Sequence, residues 1–249
     1  MRVLFLIIVA FLFTSFDVTS FTEKKAAIAE SPIKSIDKKS EYTQLYNDFA
    51  LSQIVQFKAF EQAMRGLEKI NVKNKNIITI IDFTLPSTDK RMVVLDLIKK
   101  QVLFHTIVSH GRNSGEKYAT SFSNKHGSYQ SSLGFYLTEK TYFGANGYSL
   151  VLEGLEENIN CQAKPRAVVI HGADYCSEEV INSTGRLGRS YGCPALPREI
   201  NDEVINTIKN GTLLYIYADN KEYLSSSKFI DQKESYLAEN ENPKKNNKV

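Results

Sequence analysis

The hydrophobic positions of this chain change period near residue 71. Upstream, Phe57, Phe60, Met64 and Leu67 recur at three- and four-residue spacing, which is one apolar face of an amphipathic helix. Leu45, Tyr46 and Phe49 suit a shorter helix ahead of it, and Ser52 is placed to cap the longer one. Downstream, apolar and β-branched residues gather into short runs at 77–83, 91–97, 102–108, 134–138, 149–152, 167–170 and 213–217. Turn chemistry divides them, as in Leu85-Pro86-Ser87-Thr88-Asp89-Lys90, and residues 98–101 read as a hairpin connection. Only 177–181 and 199–209 look helical in this half. The second follows Pro197, carries Ile200, Val204, Ile205 and Ile208 on one face, and stops at Asn210-Gly211. Many short strands with few helices predict a mainly β domain with peripheral helices (α+β), a sandwich or partly open barrel over 71–220. The helical segment 41–70 is expected to pack on it.

The two ends read differently. Residues 1–20 join Arg2 to an unbroken apolar run from Val3 to Phe13 and then to small and polar residues. That is the pattern of a secretory signal peptide, with Val18 and Ser20 at the small-residue positions before cleavage. The run is short for a membrane span, so no stable span is expected after cleavage; an uncleaved anchor is the alternative. Residues 21–40, rich in Lys, Ser and Glu, read as a linker, and 221–249 as a polar, disordered tail. With 249 residues, 42 % of them hydrophobic, the chain can bury one good core, and its net charge of +3 is too mild to imply nucleic acid.

Chemistry concentrates between Val168 and Leu196. The run Ala167-Val168-Val169-Ile170 delivers His171-Gly172 at its end, and Ser190-Tyr191-Gly192-Cys193-Pro194 places a thiol in a turn. Glycine before the thiol supplies unusual backbone angles, and proline after it holds Cys193 extended. A strand-end imidazole and a turn-borne thiol are the two halves of an activated cysteine nucleophile. His110-Gly111 also follows an apolar run, and composition ranks His110 and His171 nearly level. His105 reads as a core or surface histidine, and His126 as solvated. Three cysteines in an exported protein leave one over. A Cys161–Cys176 bridge would free Cys193, whereas a Cys176–Cys193 bridge would abolish the enzyme reading. A zinc site from Cys161, His171, Cys176 and Cys193 matches no familiar ligand spacing. P-loop, dinucleotide and serine-elbow signatures are absent.

His171-Gly172 followed by Ser190-Tyr191-Gly192-Cys193 resembles the signature of the L,D-transpeptidases of the YkuD type, which cross-link peptidoglycan. Tyr191 stands where that motif usually has histidine, and Pro194-Ala195 where it usually has Arg/Val-Asn. Both departures look like a branch of murein L,D-transpeptidase catalytic-domain proteins in which Gly-Cys-Pro-Ala is the norm. Ser109-His110-Gly111-Arg112-Asn113, Thr120-Ser121-Phe122-Ser123-Asn124, Ser131-Ser132-Leu133-Gly134 and Gly185-Arg186-Leu187-Gly188-Arg189-Ser190 are similar to that branch too. The resemblance implies a YkuD-like β-sandwich or partly open barrel. It implies Cys193 as nucleophile, His171 as base and the Gly172 carbonyl as orienting group. Backbone N–H groups of Tyr191, Gly192 and Cys193 would form an oxyanion hole, and Arg189, Ser190, Ser132 and Asn124 would contact substrate; a structural ion pair is the other reading of Arg189. The implied function is a cofactor-free acyl transfer on peptidoglycan tetrapeptide stems in a bacterial periplasm or cell envelope, serving wall biogenesis and cell shape. An L,D-carboxypeptidase or endopeptidase of the same fold, or a non-catalytic wall-binding protein, are the alternatives.

Overall fold

A computed structural model describes residues 38–230. The expected signal peptide, most of the expected linker and residues 231–249 lie outside the described residues. The chain begins with helices α1 (Lys38–Asp48) and α2 (Phe57–Lys69), separated by a 3₁₀ turn at Leu51–Gln53. Ser52 falls in that turn and does not cap α2. The capping position is Gln56, whose side chain makes no cap bond.

Eight strands follow in one sheet: β1 (Ile77–Asp82), β2 (Met92–Asp96), β3 (Gln101–Thr106), β4 (Gly134–Gly144), β5 (Gly147–Gly154), β6 (Val169–Gly172), β7 (Ala195–Leu196) and β8 (Leu213–Tyr217). Their spatial order is β3-β2-β1-β8-β4-β5-β6-β7. Most neighbours are antiparallel, but β1 pairs parallel with β8, and β6 pairs parallel with β7. Beyond β3 the chain turns back, so that Ser109 bridges Ala195 of β7 and Gly111 bridges Ser190. The two ends of the sheet therefore meet at one seam, and the sheet is barrel-like and nearly closed.

The remaining helices are α3 (Glu178–Thr184), α4 (Arg198–Ile208) and α5 (Lys221–Ser226). α2 and α4 lean on β1, whose Ile78, Ile80 and Ile81 are all buried. Covering both faces of a strand removes the need for alternation, which is why β1 reads as a continuous apolar run. α2 approaches closely because Gly66 carries no side chain: a Cβ there would stand 2.1 Å from the Phe135 ring. Phe135 stacks on Tyr215 with centroids 4.3 Å apart, and the Tyr215 hydroxyl donates to Gln62 Oε1 at 2.7 Å. One buried polar contact thus fixes the register of an otherwise apolar interface.

Three differences from expectation have physical reasons. Residues 221–230 are not a polar tail: α5 buries Tyr223 and Leu224, and Ile230 follows them into the core. The buried Glu156 carboxylate anchors this segment, accepting from Phe135 N–H at 2.8 Å and from the Ser227 hydroxyl. β4 and β5 run longer than the apolar runs because their outer halves pair in solvent, where polar residues suffice. Neither disulfide is formed, as all three cysteines are free thiols. Cys176 is buried in a small cluster with Ile107, Ala173, Leu187 and Ala195, while the Cys161 sulfur accepts from the Asn124 amide at 3.3 Å.

Candidate active site

β6 and β7 set the site. Their parallel register pairs His171 with Ala195 and Gly172 with Leu196. Cys193, two residues before Ala195, therefore lies beside Val169, two residues before His171. The Val169 N–H donates to Cys193 Sγ at 3.5 Å, and the thiol donates to the Ala167 carbonyl at 3.7 Å. His171 and Cys193 thus come together at the paired ends of two strands. No hydrogen bond joins them among the described residues, and Cys193 is half-buried.

His171 is buried, with Nδ1 3.0 Å from the Gly172 carbonyl. A carbonyl only accepts, so Nδ1 carries the proton and Nε2 keeps its lone pair. Burial pushes the imidazole below its ordinary value, the Gly172 bond partly offsets this, and Arg198 lowers it further. The neutral ring is the form a general base needs. The Cys193 thiol is raised by burial, with the Val169 N–H and the Arg166 charge pulling the other way.

His110 is engaged on both nitrogens. Arg91 Nη2 lies 2.8 Å from Nδ1 and the Gly115 carbonyl 3.2 Å from Nε2. Arginine only donates and a carbonyl only accepts, so the tautomer is fixed and no lone pair remains. Burial first, then the Arg91 charge, lower His110 to about 4. Of the two rings, that of His171 keeps a nitrogen lone pair without a partner among the described residues.

The turn carrying the thiol is stapled by its own serine. Ser190 Oγ donates to the Cys193 carbonyl at 2.6 Å and accepts from Gly192 N–H at 3.0 Å. Gly192 sits at φ 123°, where a Cβ would stand 2.8 Å from the Gln130 carbonyl. The Gly192 N–H is thereby occupied, whereas those of Tyr191 and Cys193 have no acceptor among the described residues. The other expected substrate contacts have partners within the protein. Arg189 pairs with Glu116 at 2.6 Å and donates to the Arg112 and Gly115 carbonyls. Ser132 Oγ donates to the Ser123 carbonyl at 2.7 Å, and Asn124 ties its loop to Cys161 and Gln162.

Arg166 and Tyr175 border the site without having been singled out from sequence. Each interacts electrostatically with Cys193, and burial raises the Tyr175 hydroxyl. Gly188 is what lets Tyr175 in, for a Cβ there would stand 2.3 Å from Tyr175 Cβ. Outside, Tyr191 is 66 % exposed and leans on Tyr129 with centroids 4.8 Å apart, under the Arg112 guanidinium. Nothing in a one-dimensional pattern ties Arg166 or Tyr129 to Cys193; only the packed loops do.

Comparison with solved structures finds distant likenesses. The helical cell shape determining protein Pgp2 from Campylobacter jejuni is 14 % identical, with 70 % of this chain and 61 % of that one covered and a TM-score of 0.40. An L,D-transpeptidase from Stackebrandtia nassauensis is 11 % identical, with 74 % and 79 % covered and a TM-score of 0.35. One from Mycobacterium smegmatis is 12 % identical, with 57 % and 59 % covered and a TM-score of 0.37. The chain spans about three fifths of the length of the Campylobacter jejuni and Mycobacterium smegmatis proteins. Among curated proteins none matches significantly. A family model, the L,D-transpeptidase catalytic domain, matches residues 51–217, two thirds of the chain and everything from the 3₁₀ turn to the end of β8. The protein belongs to the L,D-transpeptidase catalytic-domain family.

Proposed function

We propose that the protein is an exported acyltransferase that works through Cys193 on the tetrapeptide stems of peptidoglycan. The observation that carries this reading is the β6–β7 register, which sets His171 and Cys193 at adjoining strand ends within the family's catalytic domain. Export rests on the signal-like residues 1–20. Among the described residues no helix is long and apolar enough to cross a membrane.

In the proposed reaction Cys193 swings from the Ala167 carbonyl toward His171, whose Nε2 takes the thiol proton. The resulting thiolate attacks the carbonyl of the L-centre of diaminopimelate. The free N–H groups of Tyr191 and Cys193 face the oxyanion, where fixed donors are worth most. Imidazolium returns its proton to the departing amine of D-alanine, leaving a thioester. An amine of a second stem then attacks it, His171 takes that amine's proton, and the thiol is released with a new amide bond. Gly172 holds the ring in the reactive tautomer throughout. Ser190 serves by shaping the turn. Arg189, Ser132 and Asn124 act at most through the loops they tie down.

Mass spectrometry of a disaccharide-tetrapeptide muropeptide after incubation tests this. A cross-linked dimer, absent with Cys193→Ala and His171→Ala, is the expected product. Monomer trimmed by one residue would instead mark an L,D-carboxypeptidase, with water taking the acceptor's place. Unchanged substrate with folded wild type would leave a wall-binding protein.

A further inference from the structure

Arg166 occupies the turn just before β6, next to the Ala167 carbonyl that accepts the thiol proton. Its guanidinium is half-buried and held on four sides. Nη1 donates to the Ser123 carbonyl at 2.8 Å and to Ser132 Oγ at 2.7 Å. Nη2 donates to the Gln130 carbonyl at 2.6 Å and to Ser128 Oγ at 3.3 Å. All four acceptors are neutral, and no carboxylate lies within ion-pair distance among the described residues. The group also presses on the thiol turn: a Cβ on Gly192 would stand 3.1 Å from Nη2.

Taking a cation out of water costs free energy unless an anion meets it. A loop clamp draws on the guanidinium's fork of donors and leaves its net charge unanswered, since all four acceptors are neutral. The anion that this site can generate is the sulfur of Cys193. The electrostatic pairing is mutual: Arg166 eases ionisation of the thiol, and the thiolate in turn strengthens the guanidinium's hold on its proton, each against the opposing effect of burial. Among the described residues His171 exerts no comparable pull on the resting sulfur.

We propose that Arg166 is a positioning cation, clamped by four neutral acceptors, whose charge stabilises the Cys193 thiolate across the Gly192 turn. The inference builds on the reading of Cys193 as nucleophile, and it needs no turnover to be tested. Four rigid bonds fix the charge in place, so the effect is already present in the resting enzyme. The clamp also couples the loop of residues 123–132 to the thiol: whatever pulls that loop away removes the charge with it.

The test is alkylation of Cys193 by iodoacetamide as a function of pH, read on the Cys193 peptide by mass spectrometry so that the equally half-buried Cys161 does not interfere. Full-length wild type, Arg166→Gln, Arg166→Lys and Ser132→Ala are compared. The midpoint for Arg166→Gln is expected to rise by about one pH unit, a tenfold loss of thiolate at fixed pH, in line with an opposite charge at close range. Arg166→Lys, which keeps the charge and breaks the bidentate grip, is expected within about half a unit of wild type, as is Ser132→Ala. An unmoved Arg166→Gln curve, or equal shifts in Gln and Lys, would overturn the proposal. If Arg166→Gln does not fold, Lys against Ser132→Ala decides: a Lys midpoint displaced as far as one unit refutes a charge effect. Normal titration with no muropeptide product would discredit the proposed reaction while leaving this inference standing.

Discussion

At the scale of single residues, the site is governed by which polar groups are already spoken for. His110 and His171 follow similar apolar runs and are both buried, yet His110 has two fixed partners and His171 only the Gly172 carbonyl. That difference decides which ring has a lone pair to offer. It also sets a pH dependence. Burial makes the charged His171 ring costly, so its folded value lies below the ordinary ~6.5. As the proposed base, His171 acts when neutral, so kcat/KM is expected to rise with pH along an acid limb whose midpoint lies below 6.5. A limb centred above 6.5 in the muropeptide assay would mean that the imidazole titrates as a solvated ring or is paired with a thiolate at rest. The strand-end position of His171 and the turn at Cys193 were legible from sequence, because a strand end and a Gly-Cys-Pro turn are short-range features. Arg166 was not legible, since its relation to Cys193 passes through hydrogen bonds to residues 123–132. Arg189 shows the converse: a cation beside the thiol motif that the fold spends on Glu116.

At the scale of elements, periodicity served where an element faces one way. α2 and α4 each bury a single stripe and were readable as helices. α5 is one short turn-rich helix among polar residues, and its burial depends on Glu156 and Phe135, which lie far off in sequence. β7 has two residues, too few for any alternation to register, although it carries the pairing that positions the thiol. The α2 contact is the most exacting of these interfaces. A methyl at Gly66 would overlap the Phe135 ring, and that ring is pinned between Tyr215 and Phe229. The Gly66→Ala variant gains helix propensity of about 1 kcal/mol. Overpacking typically costs about 1–3 kcal/mol. With a Cβ 2.1 Å from a ring held on both sides, the cost falls in the upper part of that range, so a net loss of about 1–2 kcal/mol is expected in urea titrations, with α2 displaced from β4. A variant as stable as wild type would mean that α2 can slide on the sheet at no cost.

For the whole molecule, the seam where the sheet ends meet joins stability to the site. Ser109 bridges β7 there, and the Ser190 N–H donates to the His110 carbonyl at 3.0 Å. Behind the seam, buried Arg91 donates to the Val108 and Leu85 carbonyls and to His110 Nδ1, with Phe83 against its face. Protonating His110 would put a second cation against Arg91 and remove its acceptor. His110 is held at about 4 when folded against ~6.5 when unfolded, so the unfolded chain takes up the proton first. Stability from this residue is complete above about pH 6.5 and drains as pH falls toward 4. The difference corresponds to a loss on the order of 3 kcal/mol. Buried Asp82 and Glu156 are raised by burial and act in the opposite sense, gaining stability as pH falls, so the test is a difference between variants. His110→Asn keeps an acceptor for Arg91 near Nδ1 but cannot titrate. Urea unfolding at pH 7 and pH 4.5 should therefore show a smaller acid loss in His110→Asn than in wild type. Parallel losses in the two proteins would mean that the seam does not sense protonation at His110, and that acid acts on the fold elsewhere.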